Sequence, residues 1–175
     1  MVILSLDREL AWRVAAGVPD PELPMVSLAE LGILRRVDCT TLDDGGCRAT
    51  VTITPTYSGC PAMREMSLDL QRHLRDAGFE EVVVRTSLSP PWSSDWITPV
   101  GREKLAAADV APPNPTVARP SGPVPLTLTR PVRQVACPRC GSTQTRETSP
   151  FGATACTALY RCGACQEPFE YVKEI

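Results

Sequence analysis

The sequence has 175 residues, which is enough for one ordinary domain and a small additional module. Hydrophobic residues make up 43% of it, so a core can be buried, and the low aromatic content of 5% leaves most of that core to aliphatic side chains. The formal net charge of −2 gives no electrostatic drive toward nucleic acid or an anionic membrane surface, and we expect the chain to bind neither.

The first ten residues, MVILSLDREL, contain a short apolar run that no basic residue precedes and that Asp7 soon follows. They do not form a secretory signal, and no stretch of the chain approaches the roughly 18 apolar residues of a membrane span. We therefore expect a cytoplasmic protein. In a reducing compartment, the eight cysteines are more often ligands or free thiols than disulfides.

The N-terminal region predicts a helix followed by a turn. Apolar residues recur every fourth position over residues 6–16, and Gly17 can close a helix there. The segment PDPELP, residues 19–24, is an ordered turn, because each proline disfavours the α region for the residue before it.

A β-hairpin is predicted next. Strands at residues 32–41 and 47–54 flank DDGG, residues 43–46, which is a strong hairpin signal. The second strand alternates between apolar and polar residues, which is typical of a half-buried antiparallel strand. We expect Cys39, on the first strand, and Cys47, on the second, to be small residues on the inward face of the hairpin.

The clearest helix is predicted over residues 61–77, where Gly78 ends it and one face is apolar. Residues 81–88 predict a third strand, and a short helix is expected near 99–108. The fold class is therefore α+β, with helices packed on a small three-stranded mixed sheet. The apolar stripe of the long helix consists of Met63, Met66, Leu70 and Leu74.

The composition changes after about residue 111. The following stretch, APPNPTVARPSGPVPLTLTRPVRQ, contains seven prolines, which favour an extended, semi-rigid segment. We interpret residues 112–133 as a linker that joins a first domain, residues 1–111, to a second, residues 134–175. The alternative is a long surface loop inside one domain, but structureless loops of that length are uncommon in compact domains.

Two Cys-x-x-Cys pairs, separated by 21 residues, dominate the second domain. Each spacer lets two sulfurs reach one ion, and two such knuckles complete a tetrahedral site that most often holds Zn²⁺. Gly141 and Gly163 suit the tight backbone that the knuckles need. Iron in a one-iron site and a pair of disulfides are the alternatives. The expected ligands are Cys137, Cys140, Cys162 and Cys165.

The resulting C-terminal zinc β-ribbon is too short to hold a core without help, so metal binding should supply most of its folding free energy, on the order of 10 kcal/mol. Its basic and acidic residues are equal in number, and four thiolates around Zn²⁺ add negative charge, which argues against a role in binding nucleic acid. Cys156 is not needed for the site, and it is either a packed thiol or a functional thiol at the tip of the ribbon.

Cys60, in TYSGCPAM, precedes Pro61, and proline is favoured in the first turn of a helix. We expect Cys60 at or beside the helix N-cap, where the helix dipole can lower the pKa of the thiol. The hydroxyl groups of Thr56, Tyr57 and Ser58 add hydrogen-bond donors, and Gly59 allows close approach of a partner. The alternative is a buried cysteine with no chemistry.

The quoted segments resemble known families. DPELPMVSLAELGIL, residues 20–34, with TPTYSGCPAM, residues 54–63, resembles the iron–sulfur-assembly domain of SufT-like proteins. Residues 137–173 resemble the C-terminal ribbon of the PaaD family, the accessory subunits that are encoded with the multicomponent phenylacetyl-CoA epoxidase.

The resemblance implies a non-catalytic accessory or maturation protein in aerobic phenylacetate degradation. Such a protein would assist the assembly or transfer of an iron–sulfur cluster, or of iron, to the oxygenase components. Its partners would be the epoxidase subunits and their iron–sulfur reductase, and a domain of this type can also form a homodimer through its sheet. Cys60 would be a transient ligand or reactive thiol, and Asp20 and Glu22 would shape its surroundings. The alternative is a purely structural zinc-ribbon adaptor that holds the oxygenase components together.

Overall fold

The computed structural model describes residues 2–43, 45–57, 59–114 and 134–174, and of residues 2–7 it describes the backbone alone. The chain divides into two compact units, Met1–Ala108 and Asp109–Glu174. Each unit has its own sheet.

The first unit contains a three-stranded mixed sheet in the order β1-β2-β3. Strands β1 (Leu34–Thr41) and β2 (Cys47–Ile53) are antiparallel, whereas β3 (Glu81–Thr86) runs parallel to β2. A parallel pair requires a crossover connection, and helix α2 (Met63–Asp76) supplies it. The predicted α+β architecture is therefore confirmed.

The inward face of this sheet follows the predicted alternation. Ala49, Val51 and Ile53 of β2 are fully buried, and Val37 of β1 lies opposite Val51. The two cysteines expected on this face lie near the hairpin end of the sheet and are half-buried: Cys39 and Cys47.

Two helices cover the sheet. Helix α1 (Val2–Ala16) contacts β1 and β2, and α2 contacts β3 and α1. Three of the four predicted apolar positions of α2 are buried, while Met63 is half-buried. Gly78 ends α2 with a positive φ of 99°, and its N–H bonds the carbonyl of Arg75, as expected for a glycine that follows a helix C-cap.

Helix α2 begins later than the sequence predicts. Its N-cap position is occupied by Ala62, which has helical dihedral angles and no side-chain acceptor for the first N–H groups. The preceding residues form a turn instead, in which the N–H of Met63 faces the carbonyl of Cys60 at 3.5 Å. Cys60 therefore lies before the helix and is not its N-cap.

Helix α3 (Pro99–Ala107) completes the first unit, and its Gly101 packs closely on Glu30 before β1, where a Cβ would lie 2.8 Å from the Glu30 carbonyl oxygen. Thr98 caps it, since its Oγ1 accepts a hydrogen bond from the N–H of Gly101 at 3.0 Å. The N–H of Thr98 donates to the carbonyl of Glu30, and the indole N–H of Trp92 donates to the carbonyl of Leu31. These bonds tie the segment to the first unit.

The second unit contains a four-stranded sheet in the order β4-β7-β6-β5. Strand β6 pairs antiparallel with both β5 and β7, and the short β4 pairs parallel with β7. The strands are β4 (Val110–Ala111), β5 (Thr145–Ser149), β6 (Thr157–Cys162) and β7 (Pro168–Val172).

The start of the second unit differs from the predicted boundary at residue 111. Strand β4 lies before the proline-rich stretch, yet it pairs with β7, so the chain enters the second unit at Asp109. The amide of Asn114 donates to the carbonyl of Gln134 at 3.1 Å, which brings the two ends of the stretch together within the second unit. Of the predicted linker, residues 115–133 lie outside the described residues.

Among the described residues, none of the helices combines the length and the hydropathy that a membrane crossing requires.

Candidate functional site

The four predicted ligand cysteines meet in the second unit. Their sulfur atoms all lie within 4.8 Å of one another. Cys137 and Cys165 are 3.7 Å apart between sulfurs, and Cys140 and Cys162 are 3.6 Å apart. A tetrahedral zinc ion with Zn–S bonds of about 2.3 Å places its sulfurs about 3.8 Å apart. The donor set and its spacing therefore fit Zn²⁺.

The first knuckle is closed by backbone hydrogen bonds. The N–H of Cys137 donates to the carbonyl of Ser142 at 3.0 Å, and the N–H of Gly141 donates back to the carbonyl of Cys137 at 2.9 Å. Gly141 has a φ of 71°, so the sequence correctly assigns it to a position that favours glycine.

The second knuckle uses a different residue for the same turn. The positive φ, 66°, falls on Gln166, which follows its second cysteine just as Gly141 follows Cys140. Gly163 also lies where the backbone is tight, as predicted, but it has no positive φ. Its N–H donates to the carbonyl of Gln144 at 2.6 Å, and a Cβ there would meet that oxygen at 3.1 Å, so Gly163 serves a close approach between two segments.

Backbone N–H groups also donate hydrogen bonds to a sulfur atom of the cluster. The N–H of Cys165 points at the sulfur of Cys162 at 3.5 Å. This hydrogen bond, with another from Ala164, lowers the pKa of Cys162 to about 6 although burial opposes it. A thiolate stabilised by backbone N–H groups is the form that binds a metal.

The cluster is built into the core of the second unit. Cys137 and Cys162 are buried, Cys165 is half-buried and Cys140 is exposed. The rings of Tyr160 and Phe169 stack with centroids 5.8 Å apart within the same core. The other members of this core are Ala111, Val135, Ala158 and Tyr171.

Cys156 lies away from the cluster. It directly precedes β6, whereas Cys162 ends that strand, so at about 3.3 Å per residue the two are about 20 Å apart along it. Cys156 is buried, and its sulfur lies 3.0 Å from the hydroxyl of Thr154. None of the four cluster cysteines therefore lies beside Cys156.

Cys60 lies in the first unit, in the turn between β2 and α2, and it is half-buried. Its N–H faces the carbonyl of Tyr57 at 3.3 Å, and its sulfur interacts with the backbone N–H of Ala62 and the side chain of Tyr57. The turn thus directs two hydrogen-bond donors at one sulfur atom.

The acidic turn before β1 carries two carboxyl groups that act electrostatically on Cys60. Asp20 is 3% exposed, and its Oδ1 accepts hydrogen bonds from the N–H groups of Glu22 at 2.9 Å and Leu23 at 2.7 Å. This is an Asx-type turn, which the PDPELP segment forms as predicted. Burial raises the pKa of Asp20 although both hydrogen bonds lower it. The negative charges of Glu22 and Asp20 both act on Cys60.

The pKa of Cys60 therefore shifts opposite to the sequence-based expectation. Burial raises it, and the charges of Glu22 and Asp20 raise it further, while the donors from Ala62 and Tyr57 oppose the shift only in part. The expected lowering assumed a sulfur at the helix N-cap, a position that Ala62 occupies. At neutral pH, Cys60 is thus a protonated thiol beside two carboxyl groups.

Sequence reasoning missed an ion pair at the edge of the ribbon. The guanidinium of Arg139, in the first knuckle, binds both carboxylate oxygens of Asp109 at 2.8 and 2.7 Å. A bidentate pair of this kind fixes orientation as well as charge. Two positions 30 residues apart carry no local signal for it.

The fold and the two sites define a protein that joins an iron–sulfur-cluster-assembly domain to a zinc ribbon. Residues 12–85 match the family model described as an iron–sulfur cluster assembly protein. Residues 121–173 match the model described as the PaaD zinc beta ribbon domain. This match and the four-cysteine cluster together indicate a zinc-binding site.

The chain belongs to the PaaD family. It is 38% identical over 162 residues to a protein of Escherichia coli (strain K12) that is named as a subunit of a "Putative 1,2-phenylacetyl-CoA epoxidase". The match covers 93% of this chain and 90% of that protein. The resemblance noted in the sequence is thereby confirmed.

Two solved structures are similar to part of the chain. A crystal structure of a domain of unknown function, DUF59, from Bacillus anthracis is 25% identical with a TM-score of 0.50, and the match covers 61% of this chain and 96% of that one. A solution structure from Mycobacterium tuberculosis, described as a protein associated with Fe–S complex assembly and repair, is 30% identical with a TM-score of 0.35, covering 59% and 84%.

Proposed function

We propose that this chain is a non-catalytic accessory subunit of a phenylacetyl-CoA epoxidase, and that it assists the assembly or transfer of an iron–sulfur cluster or iron to the oxygenase components. The E. coli relative, whose name assigns it to that epoxidase, supports the system. The match to the iron–sulfur cluster assembly family supports the role in cluster assembly or transfer. The matched residues of this chain, 12–85, include Asp20, Glu22 and Cys60. The partners would be the epoxidase subunits and their iron–sulfur reductase.

The placement of Cys60 beside Asp20 and Glu22 carries this proposal. Burial, and then the two carboxyl groups, make loss of the thiol proton unfavourable in the free protein. A bound cation reverses that balance, since it attracts the carboxylates and stabilises a thiolate. Cys60 would therefore release its proton and become a ligand when an iron-containing cargo arrives, and take a proton back when the cargo leaves. Such a ligand suits a transient carrier.

The ribbon has a different part in this proposal. Cys137, Cys140, Cys162 and Cys165 would hold one zinc ion, and the ion would supply a fixed cross-link between the two knuckles. Four cysteine ligands fill a tetrahedral zinc ion and leave no open position for a substrate, which is typical of a structural site. The ribbon would then serve contact with the client subunits.

The test replaces Cys60 with serine in cells whose growth on phenylacetate depends on this protein. Cys60→Ser should fold and retain zinc, yet leave the epoxidase system inactive. Cys156→Ser is the matched control, since its thiol belongs to neither candidate site, and it should keep the system active. Full phenylacetyl-CoA oxidation with Cys60→Ser would overturn the proposal.

The same experiment separates the alternative of a structural adaptor. If the chain only holds the oxygenase components together, Cys60→Ala should be silent. Cys137→Ser should then unfold the ribbon and abolish co-purification of the epoxidase subunits. Iron and labile sulfide bound to the anaerobically purified protein, in addition to one zinc, would favour the carrier.

A further inference from the structure

The two edges of the sheet in the first unit differ in how they are protected. Strand β1 forms one edge, where the Nε of Arg8 from α1 donates to the carbonyl of Val37 at 3.2 Å, so a side chain already occupies that edge. Strand β3 forms the other edge, and none of the described strands pairs with its outer side. An edge strand without such a cover is a template for pairing with another chain.

The backbone groups of β3 point alternately at β2 and at the open edge. Just after the strand, the N–H of Ser87 donates to the carbonyl of Ile53 at the end of β2, at 2.9 Å. Because the backbone groups of a strand alternate in direction, the odd-numbered residues of β3 face β2, and the N–H and C=O groups of Val82 and Val84 face outward. Between these two residues, the side chain of Val83 is 37% exposed.

The charged side chains of β3 are placed symmetrically about Val83. Glu81 lies two residues before it and Arg85 two residues after it, and both are exposed on the same face of the strand as Val83. Glu81 forms an ion pair with Arg48 of β2 at 2.5 Å. Arg85 has no acidic neighbour in β2, because Thr52 lies opposite it there. The strand therefore presents a negative charge, an apolar side chain and a positive charge in turn.

We propose that β3 pairs antiparallel with β3 of a second copy of this chain, in the register that places the two copies of Val83 opposite each other. A two-fold axis through this pair sets each Glu81 opposite the Arg85 of the other copy, so two ion pairs flank an apolar contact. The same register sets the outward backbone groups of Val82 opposite those of Val84, as antiparallel hydrogen bonding requires. Slippage by two residues in either direction would place Val83 opposite a charged side chain instead. This self-complementarity assigns the edge to a second copy, and the pairing does not depend on the proposed function.

Sedimentation of the full-length, zinc-loaded protein over a range of concentrations measures the association. Val83→Lys sets two like charges opposite each other at the axis, so this variant should stay monomeric where the wild type forms dimers. Arg85→Glu sets a carboxylate opposite each Glu81, and we expect the dissociation constant of the dimer to rise at least about tenfold. Val100→Lys is the matched control, since it makes the same substitution at a valine of α3 that is 52% exposed, and it should leave the association unchanged.

Cross-linking tests the register itself. Opposed residues of a non-hydrogen-bonded antiparallel pair have Cα atoms about 4.5 Å apart, a separation that a disulfide can bridge. With oxidised glutathione, which is reduced to two molecules of glutathione, Val83→Cys should therefore form a disulfide between two copies. Glu81→Cys is the comparison, because its two copies would lie about 13 Å apart along the strand, beyond the reach of a disulfide. Mass spectrometry of the linked peptides separates these disulfides from any that involve the native cysteines.

A disulfide at position 83 and none at position 81, together with the loss of association in Val83→Lys, would support the pairing. A wild-type chain that is monomeric at every concentration would overturn it, and so would a dimer that Val83→Lys leaves intact or equal cross-linking at both positions. A monomeric chain whose Val83→Cys variant cross-links to an epoxidase subunit would assign the edge to a client strand and refute the pairing of two copies. Val83→Cys is a mild change at a partly exposed site, so it tests the register even if Val83→Lys disturbs the sheet.

Discussion

Asp20 offers a sharp test of how the acidic turn beside Cys60 is built. Asp20→Ala removes the oxygen that accepts two backbone N–H groups at 2.9 and 2.7 Å, in a residue that is 3% exposed. A buried donor left without its partner costs about 1–3 kcal/mol. The N–H of Glu22 is nearer to solvent than that of Leu23, so we expect a total loss of about 2–4 kcal/mol in the free energy of unfolding.

Asp20→Asn is the matched variant, because its amide oxygen can accept the same two hydrogen bonds. It should lie within about 1 kcal/mol of the wild type. Burial raises the folded-state pKa of Asp20 above its ordinary value of 3.8, so the carboxyl group's contribution is complete below that value and is lost as the pH rises through the folded pKa. Asparagine does not titrate, so the stability of Asp20→Asn relative to the wild type should rise as the pH increases above about 3.8.

The assay is urea denaturation followed by tryptophan emission. All three tryptophans, Trp12, Trp92 and Trp96, lie in the first unit, so the signal reports that unit and not the ribbon. Equal losses for Asp20→Ala and Asp20→Asn would refute the reasoning, because the hydrogen bonds would then not be the cause. A change below about 0.5 kcal/mol for Asp20→Ala would refute it as well.

Removing the metal from the ribbon with a chelator should abolish amide-exchange protection in β6 and β7 and leave the tryptophan emission unchanged, since the ion supplies most of the ribbon's folding free energy. Cys162→Ser should have the same effect, while Cys156→Ser should keep one zinc per chain; equal zinc contents in the two variants would contradict the four-cysteine site. Leu70→Ala, at a fully buried position of α2, should cost about 2–5 kcal/mol. Leu68→Ala, 47% exposed on the same helix, should stay within about 0.5 kcal/mol, and similar losses at both positions would mean that α2 packs through a different face.

Much of the fold is visible in the sequence, because it depends on local periodicity. The face of α2 that carries Met66, Leu70 and Leu74 is buried as its spacing predicts. The alternation of β2 is equally direct, and the two Cys-x-x-Cys pairs define the metal cluster without further information. In each case the signal lies within a few residues.

What the sequence does not show depends on distant partners. The pKa of Cys60 is set by burial and by Glu22 and Asp20, and its own neighbours suggest the opposite shift. Strand β4 is only two residues long, too short for any periodicity, and it is a strand only because β7 lies beside it. Pro61 suggests a helix that starts at that residue, whereas the regular helix begins at Met63. Its N-cap, Ala62, has no side chain that could accept a hydrogen bond from the first N–H groups, so the sequence carries no capping signal at the true start.

The pairing of β4 with β7 determines which segment of the chain must be kept when the ribbon is transferred to another protein. A fragment cut at residue 134 would lack Ala111, which is 2% exposed and belongs to the same apolar core as Cys137 and Cys162, and would lack the carboxylate that binds Arg139. A transferable ribbon must start at Asp109.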